Sequence, residues 1–196
     1  MDTYHNTLSP IHNLRKRAKF FKNAILDRNV GAVSKSSKYV INNVLKRLKQ
    51  PLQIVIEFGP GDGPMTKALL KRLSPDGKLL VIESNVKFVE ELRKIDDERL
   101  HIVEGNVQDI ISKDIYGFEK VDLVVSSIPF SFLKPSERIN IVKITNKLLI
   151  SGGSFIIFHQ YSRLMAKTLR QVFGSVSVIL EPRNFPPCFI LEANKK

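Results

Sequence analysis

Glu57-Phe58-Gly59-Pro60-Gly61-Asp62-Gly63 lies between an apolar, β-branched run at 53–58 and a stretch of helical spacing at 65–73. Read as strand, glycine turn and helix, these residues decide the fold. Glycine permits a tight turn and lets the backbone approach a ligand closely. The spacing is Gly-x-Gly-x-Gly, which is not the dinucleotide fingerprint. The Gly-Lys-Ser/Thr ending of a phosphate-cradling loop is also missing. Glu57, at the entrance of the turn, would repel a phosphate and suits a cation.

Downstream the same alternation continues. Strands are predicted at 79–83, 101–104, 121–126 and 154–160. Helices are predicted at 86–95, capped by Asn85, at 136–150, ended by Gly152-Gly153, and at 162–172, stopped near Gly174. Two strands, 175–180 and 188–193, close the chain around the turn 181–187. Continuous apolar strands joined by helices predict a parallel sheet covered on both faces. The short final turn cannot make a parallel crossover, so the last strand must run antiparallel. The fold class is therefore α/β. A Rossmann-like, mostly parallel seven-stranded sheet with an antiparallel last strand forms a domain over 51–196. Residues 1–50 form a basic, helical N-terminal extension.

That extension carries eleven Lys or Arg against two Asp, in a chain of net charge +12. Ile11, Leu14, Ala18, Phe21 and Ile25 recur at three and four, giving one apolar stripe. Arg15, Lys16, Arg17, Lys19 and Lys22 flank it. A basic amphipathic helix of this kind fits an anionic membrane surface; RNA is the alternative polyanion. Stacking on RNA would call for interleaved aromatics, and only Phe20 and Phe21 are present there. One cysteine, Cys188, excludes an intramolecular disulfide. No apolar stretch approaches the roughly 20 residues of a spanning helix, and the first thirty residues have no signal-peptide core. The expectation is a cytoplasmic protein, peripheral to the inner face of a membrane, with no metal and no obligate protein partner.

Two further elements extend the glycine turn. Glu83 ends the second strand, 20 residues past Gly63, where an acid can accept from both ribose hydroxyls of a nucleoside. Gly105-Asn106-Val107 follows the third strand; Asn106 can read an adenine amino group, with Val107 against the ring. Val86 or Phe88 can cover the other ring face. In this order and at these spacings the three elements resemble motifs I, II and III of class I methyltransferases. The resemblance implies S-adenosylmethionine as cofactor. Its candidate binding residues are Glu57, Phe58, Gly59, Pro60, Gly61, Gly63, Glu83, Ser84, Asn106, Val107 and Ser126.

The fourth strand runs into Ser126-Ser127-Ile128-Pro129-Phe130. Open parallel sheets bind substrates beyond the carboxyl ends of their strands, so this segment should line the reaction centre. Methyltransferases acting on adenine amines carry Asn/Asp-x-Pro-aromatic here. Pro129 and Phe130 match, whereas Ser127 is too short to reproduce the amine-binding geometry. Together with Gly31-Ala32-Val33-Ser34-Lys35-Ser36-Ser37 and Arg183-Asn184-Phe185-Pro186-Pro187, these motifs resemble the bacterial phospholipid N-methyltransferases over residues 14–193. Those enzymes are related in sequence to the ribosomal RNA adenine dimethyltransferases. Phe130 leans towards the RNA enzymes; Ser127 and the Arg-Asn-x-Pro-Pro segment lean towards the lipid ones.

The resemblance implies methylation of a phospholipid headgroup amine, phosphatidylethanolamine towards phosphatidylcholine, with an RNA adenine as the alternative acceptor. A third reading is a cofactor-binding module without catalysis. The acceptor amine must be neutral to attack. Tyr4, His5, His159 and Tyr161 are candidates to accept its proton, and Ser127 and Pro129 to frame it. Arg183 is a candidate for the lipid phosphate. Arg15, Lys16, Lys19, Phe21, Lys22 and Phe130 are candidates for substrate or membrane contact.

Overall fold

The computed structural model describes residues 37–48, 51–113, 115, 117–160 and 163–196, with the backbone alone at 159–160. The N-terminal stripe, Tyr4, His5, Arg15, Lys16, Lys19, Phe21, Lys22 and Tyr161 lie outside the described residues, as does the His159 side chain.

The elements run α1 (Lys38–Leu45), β1 (Leu52–Phe58), α2 (Pro64–Leu70), β2 (Leu73–Glu83), α3 (Val86–Leu92) and β3 (Leu100–Glu104). They continue as α4 (Val107–Ile111), β4 (Val121–Ser126), a 3-10 turn (Phe130–Phe132), α5 (Pro135–Leu148), β5 (Leu149–Gln160), α6 (Met165–Phe173), β6 (Ser177–Glu181) and β7 (Cys188–Asn194). One seven-stranded sheet has the order β3-β2-β1-β4-β5-β7-β6. β3, β2, β1, β4 and β5 pair in parallel. β7 is antiparallel to both β5 and β6. The expected architecture is thus observed, with the final strand inserted between β5 and β6.

Side chains alternate across the sheet and divide the core in two. On one face Ile56, Phe58, Ile82, Val124, Phe155 and Ile157 pack with Val107 and Ile111 of α4, Ile141 and Val142 of α5, and Met165, Leu169 and Phe173 of α6. On the other, Val55, Leu79, Val81, Leu123, Val125, Ile156 and Ile190 pack with Val40 and Val44 of α1, Met65, Leu69 and Leu70 of α2, and Leu92 of α3. Each fully buried aliphatic or aromatic side chain contributes about 1.5–3 kcal/mol relative to exposure. The topology places the crossover loops after β1, β2, β3, β4 and β5 at one end of the sheet.

Two boundaries differ from expectation because tertiary pairing overrides local pattern. Leu73, the expected end of the second helix, opens β2 and pairs with Leu52; the register then jumps to Ile54 opposite Lys78. Gly152-Gly153 do not end a helix. α5 stops at Leu148, and Leu149 already pairs with Val121 before the register shifts to Leu123 opposite Ser154. The glycines sit within this irregularity. A Cβ on Gly153 would stand 3.1 Å from the carbonyl oxygens of Val121 and Asp122, so the close passage of β4 excludes a side chain. Helix α4 was not anticipated: five residues are too few to carry a periodic signal.

Candidate active site

The glycine turn sits at the carboxyl end of β1. Gly59, Gly61 and Gly63 all have positive φ, at 69°, 60° and 87°. Gly59 N–H donates to the Ile82 carbonyl at 2.9 Å, tying the turn to β2. A Cβ on Gly59 would lie 2.8 Å from Ile128 Cγ2, so this glycine is demanded by the approach of the β4 loop. At Gly61 a Cβ would meet nothing within 4 Å, leaving open space above the turn.

Glu83 is 7% exposed and organises the turn from β2. Its Oε2 accepts from Gly61 N–H at 3.1 Å; its Oε1 accepts from Ser84 N–H at 2.8 Å and Asn85 N–H at 2.9 Å. Burial raises its pKa, opposed by these backbone hydrogen bonds. A carboxylate offers about four acceptor positions, so Oε2 retains capacity for a hydroxyl donor. Asn85 caps α3 as expected, accepting from Lys87 N–H at 3.0 Å.

Glu57 is 1% exposed, and its Oε2 accepts from Thr66 Oγ1 at 2.7 Å. Burial pushes its pKa up to about 8, and the neighbouring Glu83 adds to the rise. A buried carboxyl of this kind becomes charged when a cation arrives to pair with it. Ser126, at the end of β4, is wholly buried, and its Oγ has no hydrogen-bond partner. Asn106 caps α4 without a side-chain hydrogen bond to the helix, and its exposed amide approaches Asp109 Oδ2 at 3.5 Å. Val107 is 7% exposed. The next residue, Gln108, escaped the sequence reading, yet its buried Nε2 lacks a partner. Only packing reveals it, because a lone glutamine carries no motif.

These features fit S-adenosylmethionine chemically. A buried acid suits the cation, Glu83 suits a ribose diol, the unpaired Gln108 Nε2 and the exposed Asn106 amide suit base nitrogens, and the open face of Gly61 leaves room. Phe58 contributes only backbone here. Its ring is fully buried against Phe155, and its carbonyl accepts from Ser127 N–H at 3.0 Å. Pro60 is buried, and its carbonyl accepts from Gly63 N–H at 3.2 Å; Ser84 is exposed.

On the acceptor side three candidates have partners within the fold. The Ser127 hydroxyl donates to the Gly59 carbonyl, locking the β4 loop to the glycine turn. Phe130, a candidate for substrate or membrane contact, has its ring 0% exposed inside the core. Arg138 Nε, also missed, donates to the Phe130 carbonyl at 2.8 Å and holds that turn in place. Arg183 donates through Nε and Nη2 to Glu181 at 2.8 and 2.7 Å, and its guanidinium lies 4.8 Å from the Tyr39 ring centroid. That pairing holds the Glu181 carboxyl down at about 2. Pro129 is half-buried beside Ser127. The backbone of His159 pairs with Phe189, one residue before the end of β5. Among the described residues no cluster of three or more His, Cys, Asp or Glu side chains forms a metal site. No described helix is long and apolar enough to cross a membrane.

A parallel sheet with an antiparallel β7 insertion, a glycine turn after β1 and an acid ending β2 define a class I S-adenosylmethionine-dependent methyltransferase. The family profile described as ribosomal RNA adenine dimethylase matches residues 34–181, and the chain belongs to that family. An ornithine lipid N-methyltransferase of Singulisphaera acidiphila is 29% identical over 174 residues, covering 86% of this chain and 88% of the relative. Ribosomal RNA small subunit methyltransferase A of Mycoplasma mycoides is 36% identical over 96 residues, 46% of this chain and 35% of that protein. Among solved structures, 1,6-didemethyltoxoflavin-N1-methyltransferase of Burkholderia thailandensis superposes with TM-score 0.67 at 16% identity, covering 99% of this chain and 93% of that one. That likeness speaks for the fold.

Proposed function

We propose that the chain methylates the headgroup amine of a membrane lipid, phosphatidylethanolamine or an ornithine lipid, at the membrane surface. One observation carries this reading. Where an adenine-directed enzyme holds the target amine and stacks the base, this chain has Ser127 engaged with the Gly59 carbonyl and the Phe130 ring buried in the core. Neither is disposed to receive a nucleobase. The extended match to a lipid N-methyltransferase supports the same acceptor class. So does the basic, apolar-striped segment within residues 1–50.

The cofactor supplies an activated sulfonium methyl, so the protein's task is to align the acceptor nitrogen with it. In this reading Glu57 offers the countercharge, Glu83 and the glycine backbone hold the nucleoside, and the Ser127–Gly59 bond fixes the β4 loop at the reaction centre. The amine must shed a proton. His159, next to last in β5, and Tyr161 remain the candidates to take it.

RNA adenine methylation is the second reading, favoured by the family match and the Mycoplasma relative. Incubation with methyl-labelled cofactor and both substrates, followed by separate lipid and RNA extraction, decides. Label in the lipid fraction is expected. Label confined to RNA overturns the proposal, and cofactor binding with no label in either fraction supports a non-catalytic module.

A further inference from the structure

This inference rests on the lipid reading and specifies how the surface is engaged. Five large apolar side chains are exposed among the described residues: Val86 at 51%, Phe132 at 37%, Leu164 at 37%, Leu180 at 49% and Phe185 at 93%. Single exposed apolar residues are ordinary on any protein surface. Their placement here is not. Val86 follows β2, Phe132 follows β4, Leu164 follows β5, Leu180 is the penultimate residue of β6, and Phe185 is in the β6–β7 turn. β6 runs parallel to β5, since both oppose β7. All five therefore lie at the carboxyl end of the sheet, the end that carries the candidate active site. Val86 borders the nucleoside-side loops and has a use there. The other four fall on the β4-β5-β7-β6 half, where the acceptor must enter.

Three of these four have an exposed cation within two residues in sequence. Lys134 follows Phe132, Arg163 precedes Leu164 and Arg183 precedes Phe185. The turn that presents Phe185 is internally braced. Asn184, 3% exposed, donates through Nδ2 to the Pro186 carbonyl at 2.6 Å, and Glu181 grips both the backbone N–H and the guanidinium of Arg183. A side chain held 93% in water by a rigid turn gains nothing in the isolated protein. Apolar tips interspersed with cations match the acyl–headgroup boundary of an anionic bilayer.

We infer that the acceptor half of the catalytic rim is a bilayer-docking face. In it Phe185, Leu164 and Phe132 enter the interface while Arg163 and Lys134 meet anionic headgroups, so that the headgroup amine arrives at the mouth of the site; Arg183, engaged by Glu181, braces the turn that presents Phe185.

Because the chain lacks tryptophan, single-tryptophan reporters read this directly in the full-length protein. Phe185→Trp is placed on the rim, and Asp76→Trp at an exposed position in the first residues of β2, at the opposite, amino end of the sheet. Each is titrated with phosphatidylglycerol/phosphatidylethanolamine vesicles, with and without brominated acyl chains. The expected result is a blue shift and at least twofold quenching for the Phe185→Trp protein, with none for Asp76→Trp. Unshifted emission at the rim overturns the proposal, as does equal quenching at both positions. A second variant, Leu164→Glu/Phe185→Glu, is expected to lose vesicle co-sedimentation at least tenfold while keeping calorimetric affinity for S-adenosylhomocysteine; sedimentation like the parent also overturns it. Methyl transfer to detergent-dispersed lipid separates the two claims. Transfer there without rim quenching sinks the docking face alone, whereas no transfer to lipid in any form sinks the lipid reading.

Discussion

The two halves of the sheet's carboxyl end are built differently. On the β1-β2-β3 half, polar groups are grouped around an open space: Glu83 collects three backbone donors, Glu57 is buried and accepts from Thr66, and Gly61 leaves its face clear. On the β4-β5-β7-β6 half, the polar candidates serve the protein itself. Ser127 bonds Gly59, Arg183 clamps Glu181, and Phe130 fills the core. Nucleoside binding uses backbone turns and fixed acids, which leave fixed traces in sequence. In the proposed lipid reading, acceptor recognition uses what the rim exposes, which among the described residues is apolar and basic.

Breaking the first half should give the largest effect. Glu83→Ala removes the acceptor of three backbone N–H groups and of any ribose hydroxyl. Hydrogen bonds to charged groups contribute about 1.5–3 kcal/mol each, so cofactor affinity should fall by roughly 10- to 100-fold per bond lost. Calorimetry with S-adenosylhomocysteine measures it, and an affinity equal to the parent's would remove Glu83 from the site.

Gly59 and Gly61 sharpen the contrast within one turn. Alanine at Gly59 meets both a left-handed backbone and the Ile128 side chain, so a loss of about 2–4 kcal/mol in unfolding free energy is expected. Alanine at Gly61 meets only the backbone strain, about 1–2 kcal/mol. Urea denaturation of both variants should separate them by at least 1 kcal/mol.

Glu57 predicts a pH dependence of opposite sign from that of Glu181. The folded pKa of Glu57 is raised to about 8 from 4.5, so its contribution to stability is fully present below about 4.5 and is lost as pH rises through 8. A cationic ligand favours the charged form, so cofactor affinity should strengthen between pH 7 and 9 by up to tenfold, with proton release at pH 7. Glu57→Gln should flatten both profiles. The lowered pKa of Glu181, at about 2, makes its contribution present above 4.5 and lost as pH falls towards 2. Unfolding midpoints recorded from pH 3 to 9 read both trends.

The smallest effect belongs to Ser127. Ser127→Ala removes one neutral hydrogen bond, costing about 1 kcal/mol of stability and less than tenfold in kcat. Ser127→Asn should not create RNA methylation, because the buried Phe130 offers no stacking face. Appreciable label in adenine from that variant would revive the RNA reading.

The order of strands and helices, the antiparallel last strand, the glycine turn and the acid after β2 were all legible from periodicity and spacing. The reason is that hydrophobic alternation and left-handed turns are local demands on residue type. Boundaries such as Leu73 and Leu149 were not, since cross-strand pairing with Leu52 and Val121 extended those strands against their local pattern. Nor was the fate of Ser127, Phe130, Gln108 and Arg183. Whether a hydroxyl faces a ligand or the Gly59 carbonyl, or a ring faces solvent or the core, depends on what the fold brings beside it from far away in the chain. The gathering of Phe132, Leu164 and Phe185 at one end of the sheet is of the same kind: no spacing relates them, and only the topology places them together.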